Sequence, residues 1–299
     1  MRLSEWKNKG SYLTLGSNRL FCVHEGQGPF LLLLHAYPTA SWGWHKVWND
    51  LSKRFTLIAP DLPGSGFSDK PKGSYSIFWL TDLIESVLEH FEVNEFHILA
   101  HAYGSTVGQE LIARYGTEKD YLLVERRLQL LSGCFINGGL FPEATKTTGM
   151  QKFLLTKFGA TMARVFPSPY GMFKKNFSAT FGPKTKPTEE EMKEYWTLLT
   201  HDDGHKRVPE VIKYLTERKE NRDRWVGALT KATIPLCLIN STSDHLVGDG
   251  VIKTWKTLLP NSLLLELSEE TGHYPTLEYP DQVLKAYDQF LSSMKMDQA

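Results

Sequence analysis

Cysteine is scarce in this chain, neither sign of charge is in excess, and no apolar run is long. The three cysteines among 299 residues, Cys22, Cys134 and Cys237, are an odd and widely spaced set. That excludes a disulfide framework and offers no zinc-ligand spacing. Each lies among apolar neighbours in a predicted strand, so buried reduced thiols in a cytoplasmic protein are expected. The 34 Lys and Arg residues balance 34 Asp and Glu residues. Without a basic excess, no general attraction to nucleic acid or to an anionic membrane is expected. The mixed run 219–224 reads as a solvated helix face. The densest apolar run, 30–34, falls far short of the roughly 20 residues that a membrane helix needs. The first six residues contain no apolar h-region, so neither a signal peptide nor an integral membrane segment is expected. His90, His201 and His205 show no metal-ligand spacing, and no metal or cofactor is expected.

What is present is an ordinary globular composition, 41% apolar and 23% charged. The length suits one large α/β domain with an insertion, or two small domains. Segments 12–15 and 19–23 read as a hairpin around Gly16-Ser17-Asn18. Segment 30–34 is continuously apolar, as a strand buried on both faces must be. Segment 41–51 reads as a helix with Trp44, Val47, Trp48 and Leu51 on one stripe. Strands at 55–59, 96–100 and 128–136 alternate with helices at 76–91 and 103–115. The alternation then stops. Residues 138–231 read as helical, with a capping box at Thr188 and Glu191. Strands return at 234–239 and 262–267, before a last helix from 280 to 293. This order describes a doubly wound, mostly parallel sheet with a helical cap inserted before the penultimate strand. The expected division is core 1–137, cap 138–231 and core 232–299.

Ligands of such sheets sit at the carboxyl ends of the strands. Those ends carry His35-Ala36-Tyr37-Pro38, then Asp61-Leu62-Pro63-Gly64, Ala100-His101-Ala102-Tyr103-Gly104, a segment ending in Asp244, and Gly272-His273. A nucleophile elbow is a sharp strand-to-helix turn that needs small residues two before and two after its centre. Ala100 and Gly104 meet that need around Ala102. An acid and then a histidine should follow in chain order, and Asp244 and His273 do. Each motif alone is weak, whereas their joint order at strand ends is specific. The centre of the elbow, however, is an alanine, and a methyl group cannot attack. Ser105 lies about one helical turn further on and reads as a helix-surface serine, not as a substitute.

With these motifs the chain resembles the α/β-hydrolase fold family over nearly its full length. It is similar to the epoxide hydrolase and haloalkane dehalogenase branch. Within that branch it resembles the mesoderm-specific-transcript-like group, through His101-Ala102-Tyr103-Gly104, the string 137–143, Phe181-Gly182-Pro183 and the string 224–229. The His-x-Tyr-Gly context implies an Asp at position 102. That Asp would form an alkyl-enzyme ester, which water activated by His273 and Asp244 would hydrolyse. Backbone N–H groups near Tyr37 and Tyr103 would form the oxyanion hole. The aromatic Tyr37 before proline implies an apolar epoxide as substrate, not a haloalkane. A lid tyrosine would protonate the opening ring oxygen, with Tyr214 first and Tyr195 and Tyr170 after it. Three accounts of Ala102 stay open: an introduced Asp-to-Ala replacement, natural loss leaving a ligand-binding pseudoenzyme, and chemistry using only the His–Asp dyad. A relative acting on haloalkanes or β-lactones is a further alternative. His35, His101 and Asp61 are expected to support the surrounding loops. The oligomeric state is not legible.

Overall fold

The computed structural model describes residues 1–117 and 128–296. Its centre is one eight-stranded sheet. The strands are β1 (Gly10–Leu15), β2 (Asn18–Glu25), β3 (Phe30–Leu34), β4 (Thr56–Pro60), β5 (Glu95–His101), β6 (Gln129–Ile136), β7 (Leu236–Ser241) and β8 (Leu263–Leu267). Their order across the sheet is β1-β2-β4-β3-β5-β6-β7-β8. β1 and β2, and β2 and β4, pair antiparallel, and every other pair is parallel.

The period-two rule accounts for the continuous apolar strands. In β3, Leu32 and Leu34 enter the core on one face, and Leu31 and Leu33 enter the core on the other. Each such burial contributes about 1.5–3 kcal/mol relative to an exposed side chain. The chain leaves β3 sideways to β4 and then crosses back to β5 on the other flank of β3. The carboxyl ends of β3 and β5 therefore border the point where the winding reverses. A crevice opens there because the two connections run apart.

Most expected elements appear within a residue or two of their predicted ends. Ser76 caps the helix Ile77–His90, accepting from the Trp79 N–H at 3.2 Å. Thr188 and Glu191 form their reciprocal box at the head of Glu189–Thr200. Two expectations need correction. Segment 41–51 is not one helix but a 3₁₀ turn, Ser41–Trp44, and a short helix, Trp48–Leu51. Trp42, Trp44 and Trp48 are all buried, and residues two apart cannot share one face of a regular helix. An unforeseen helix, Leu3–Lys9, also precedes the sheet. Its Trp6 packs edge-on to Trp48, ring centres 4.7 Å apart.

Between β6 and β7 the chain is helical, in seven helices and two 3₁₀ turns from Pro142 to Thr230. This cap covers the carboxyl ends of the strands. No helix among the described residues is long and apolar enough to cross a membrane.

Candidate active site

The turn after β5 is the sharpest feature of the site. Ala102 holds φ 47° and ψ −102°, a backbone region that L-residues rarely occupy. Its N–H donates to the Ile136 carbonyl at 3.1 Å. Two residues on, the Gly104 N–H donates to the His35 carbonyl at 3.0 Å, and a Cβ there would overlap the Leu34 carbonyl. The small residue that the sequence demands at position 104 is thus the price of bringing the helix Tyr103–Tyr115 against β3.

Asp244 and His273 come from the loops after β7 and β8. His273 Nδ1 lies 2.6 Å from Asp244 Oδ2, and Asp244 Oδ1 accepts from the Leu246 N–H at 2.9 Å. Burial pushes the Asp244 carboxyl up, but the His273 ring and these hydrogen bonds outweigh it and hold it below its ordinary value. The ring is fixed from behind. The His273 N–H donates to Thr180 of the cap at 2.8 Å, and its carbonyl accepts from His101 Nε2 at 2.8 Å. Burial, reinforced by the neighbouring His273, holds His101 down to about 3, so it stays neutral and serves as a donor. Gly272 makes the cap contact possible, since a side chain there would overlap the Gly182 nitrogen.

The remaining strand-end residues are supports. His35 Nδ1 lies 2.8 Å from the Ala36 carbonyl and Nε2 accepts from the Leu62 N–H at 2.9 Å. The Asp61 carboxylate accepts from the N–H groups of Ser41 and Phe67 at 2.7 and 2.8 Å. Ser105 is buried, not on a helix surface, and its hydroxyl donates to the Ala100 carbonyl at 3.3 Å.

Ala102, Tyr37, Tyr103, Tyr214 and His273 line one cavity of about 290 Å³, with Asp244 directly behind His273. Tyr274 lines it too, its hydroxyl donating to the Tyr37 carbonyl at 3.0 Å, and the other three phenols cluster in it. The rings of Tyr103 and Tyr214 are 4.7 Å apart and those of Tyr37 and Tyr103 are 6.3 Å apart. The hydroxyls of Tyr37 and Tyr103 are buried without a partner among the described residues. Burial raises all three phenols above their ordinary value, which keeps them protonated. The other two tyrosines are not brought to this site. Tyr195 is buried between Trp42 and Phe177, and Tyr170 donates its hydroxyl to Glu189 at 2.7 Å. Neither lines the cavity, because the helix Glu189–Thr200 turns Tyr195 toward the core of the cap.

Sequence reasoning passed over Asn137 as a site residue. It holds φ 40° at the end of β6, donates from Nδ2 to the Gly272 carbonyl and accepts at Oδ1 from the Ser241 N–H, both at 2.9 Å. It thereby ties β6, β7 and the His273 loop together. An Asn before Gly-Gly at a strand end was the available signal, since Asn tolerates positive φ.

Comparison with known proteins agrees with this fold. The family profile described as alpha/beta hydrolase fold matches residues 29–280. The mouse mesoderm-specific transcript protein (Mus musculus) is 34% identical over 302 residues, covering 97% of this chain and 88% of that protein. A soluble epoxide hydrolase of a Corynebacterium species is 24% identical, covering 93% of this chain and 95% of its own length. Among solved structures, the haloalkane dehalogenase DatA of Agrobacterium tumefaciens superimposes with a TM-score of 0.79 at 17% identity, over 95% of this chain and 96% of that one.

Proposed function

This chain belongs to the α/β-hydrolase fold family, and on that premise we propose that it is an epoxide hydrolase-type scaffold halted before its covalent step. One observation carries the reading. Ala102 occupies the strained corner, on the same cavity as a His273 ring still paired with Asp244. A carboxylate at position 102 would attack an epoxide carbon and break its C–O bond, leaving an alkyl ester. A phenol, Tyr214 first, would give its proton to the ring oxygen. His273 would then take a proton from water, whose oxygen attacks the ester carbonyl while Asp244 stabilises the imidazolium. The acyl C–O bond then breaks, the diol leaves, the carboxylate is regenerated and the His273 proton returns to the phenolate. The Tyr103 N–H, in the first helical turn where no intrahelical acceptor exists, supports its role toward the oxyanion, together with the N–H near Tyr37.

The phenol cluster favours an oxygen electrophile over a halide, and the apolar wall supports an apolar body for the small-molecule substrate. Ala102 keeps the corner, the dyad and the cavity but cannot form the ester. The chain as it stands therefore binds without turning over.

The test is Ala102→Asp assayed on aryl and alkyl epoxides. We expect turnover at least about 10⁴-fold above the unchanged chain. An ester adduct of protein plus epoxide should appear by mass spectrometry on slow substrates. No turnover of epoxides, haloalkanes or lactones by Ala102→Asp overturns the proposal. Turnover of haloalkanes alone moves it to dehalogenation.

A further inference from the structure

The cavity contains a buried cation that the hydrolytic scheme leaves unused. Arg218, from the helix Tyr214–Glu220, is 5% exposed and lines the cavity. Nη1 donates to the Gly139 carbonyl, the guanidinium lies 5.2 Å over the Tyr214 ring, and Nε is buried with no acceptor. No carboxylate pairs with it among the described residues, and the ring beneath it is the neutral Tyr214 phenol. Gly139 makes the seat, since a Cβ there would overlap Nη1. The lining includes Arg218 and Lys146 but no Asp or Glu. A guanidinium out of water without a counter-ion is unfavourable unless a ligand brings the negative charge. Its planar fork matches a carboxylate, and one buried cation balances a monoanion.

We propose that Arg218 anchors the carboxylate of an amphipathic ligand, whose apolar body passes Tyr214 and Tyr103 toward the corner at Ala102. Only the identity of the reacting end rests on the hydrolase reading. The test compares octanoate with octanamide by calorimetry at pH 7.5 on the unchanged chain. We expect the acid to bind at least about tenfold tighter, the bond to a charged group being worth that much. Arg218→Met should abolish the preference and Arg218→Lys should keep part of it. Equal affinities in the unchanged chain, which needs no variant to fold, overturn the proposal. So does an equal loss for both ligands in Arg218→Met, or a preference for octyl phosphate. A silent Ala102→Asp enzyme alongside an intact octanoate preference would instead count against the hydrolase reading alone.

A second observation concerns the outer wall of the same cavity. Residues 144–188 contain no Asp or Glu and eight Lys or Arg, in a chain whose total charge is zero. Lys152, Lys157 and Lys175 have no carboxylate partner among the described residues, and all three are exposed. Between them stand Phe158, Val165 and Phe166, 69%, 62% and 70% exposed, with Phe153 and Met162 more than a third exposed. Of the nine large apolar side chains exposed to that degree among the described residues, seven lie between 150 and 172. The helices that present them, Gly149–Leu154 and Lys157–Val165, turn Leu154 and Ala163 into the cavity.

We infer that this face of the cap docks on an anionic bilayer surface, lysines at the headgroups and phenylalanines in the acyl boundary. The test is co-sedimentation with vesicles of phosphatidylcholine alone or equimolar with phosphatidylglycerol. Binding should favour the anionic vesicles and weaken with salt. It should fall at least about tenfold in F158S/F166S and in K152E/K157E, since both the apolar and the electrostatic parts are needed. These positions are exposed, so the fold should survive. Absence of vesicle binding, or binding unchanged in both variants, overturns the inference. So does self-association through this face that the same variants abolish.

Discussion

At the scale of one residue, Ala102 concentrates the physics of the site. Its backbone stands at positive φ only because Ile136 and His35 hold the chain on either side through the bonds to Ala102 and Gly104. Such a conformation costs a non-glycine residue about 1–3 kcal/mol. Glycine would relieve that strain and return roughly 0.5–1 kcal/mol through its freer unfolded chain. Ala102→Gly should therefore raise the unfolding free energy by about 1 kcal/mol, read as a higher urea midpoint at unchanged slope. A lower midpoint would mean the corner is not strained. The need for small residues at 100 and 104 was legible in the sequence, because the turn imposes it locally. The neutral state of His101 was not, because it depends on burial against His273, 172 residues away.

At the scale of elements, one buried carboxylate ties the last cap helix to the core. Glu110, on the helix Tyr103–Tyr115, has a fully buried side chain. It accepts from Arg114 Nε at 2.9 Å, Arg224 Nε at 2.7 Å and Trp225 Nε1 at 2.8 Å. Arg224 and Trp225 belong to Arg222–Thr230, the last cap helix. In the run 219–224, expected as a solvated face, Arg224 is exposed as expected yet also reaches Glu110 on the core helix. Periodicity could not reveal this, since the partner is 114 residues distant. Glu110→Ala should lower stability by about 1–3 kcal/mol, because it leaves the buried Trp225 Nε1 without its acceptor. Burial pushes the Glu110 carboxyl up, but the bonds from Arg224, Arg114 and Trp225 bring it below its ordinary value. Its contribution is therefore complete above the ordinary carboxylate range, near pH 4.3, and fades as pH falls through the folded value. Urea unfolding of parent and variant should show a constant gap at neutral pH that closes in acid. A gap that widens in acid would contradict this.

At the scale of the molecule, the sequence by itself determined the parallel sheet, the helical insertion and the order of strand-end motifs. It did so because two-residue and helical periods, caps and turn residues act over a few neighbours. The alanine at the sharp turn after β5 was equally visible, since such a turn is recognised by its immediate flanks. The tertiary structure decided which tyrosines line the cavity. Tyr214 reaches the ring of Tyr103, whereas Tyr195 turns to Trp42. The rotation of a cap helix is set by what it packs against, not by its own spacing. Only the fold, too, leaves Arg218 without a carboxylate partner among the described residues and gathers exposed phenylalanines on a segment that itself has no Asp or Glu, because burial and charge pairing join residues that the chain keeps apart.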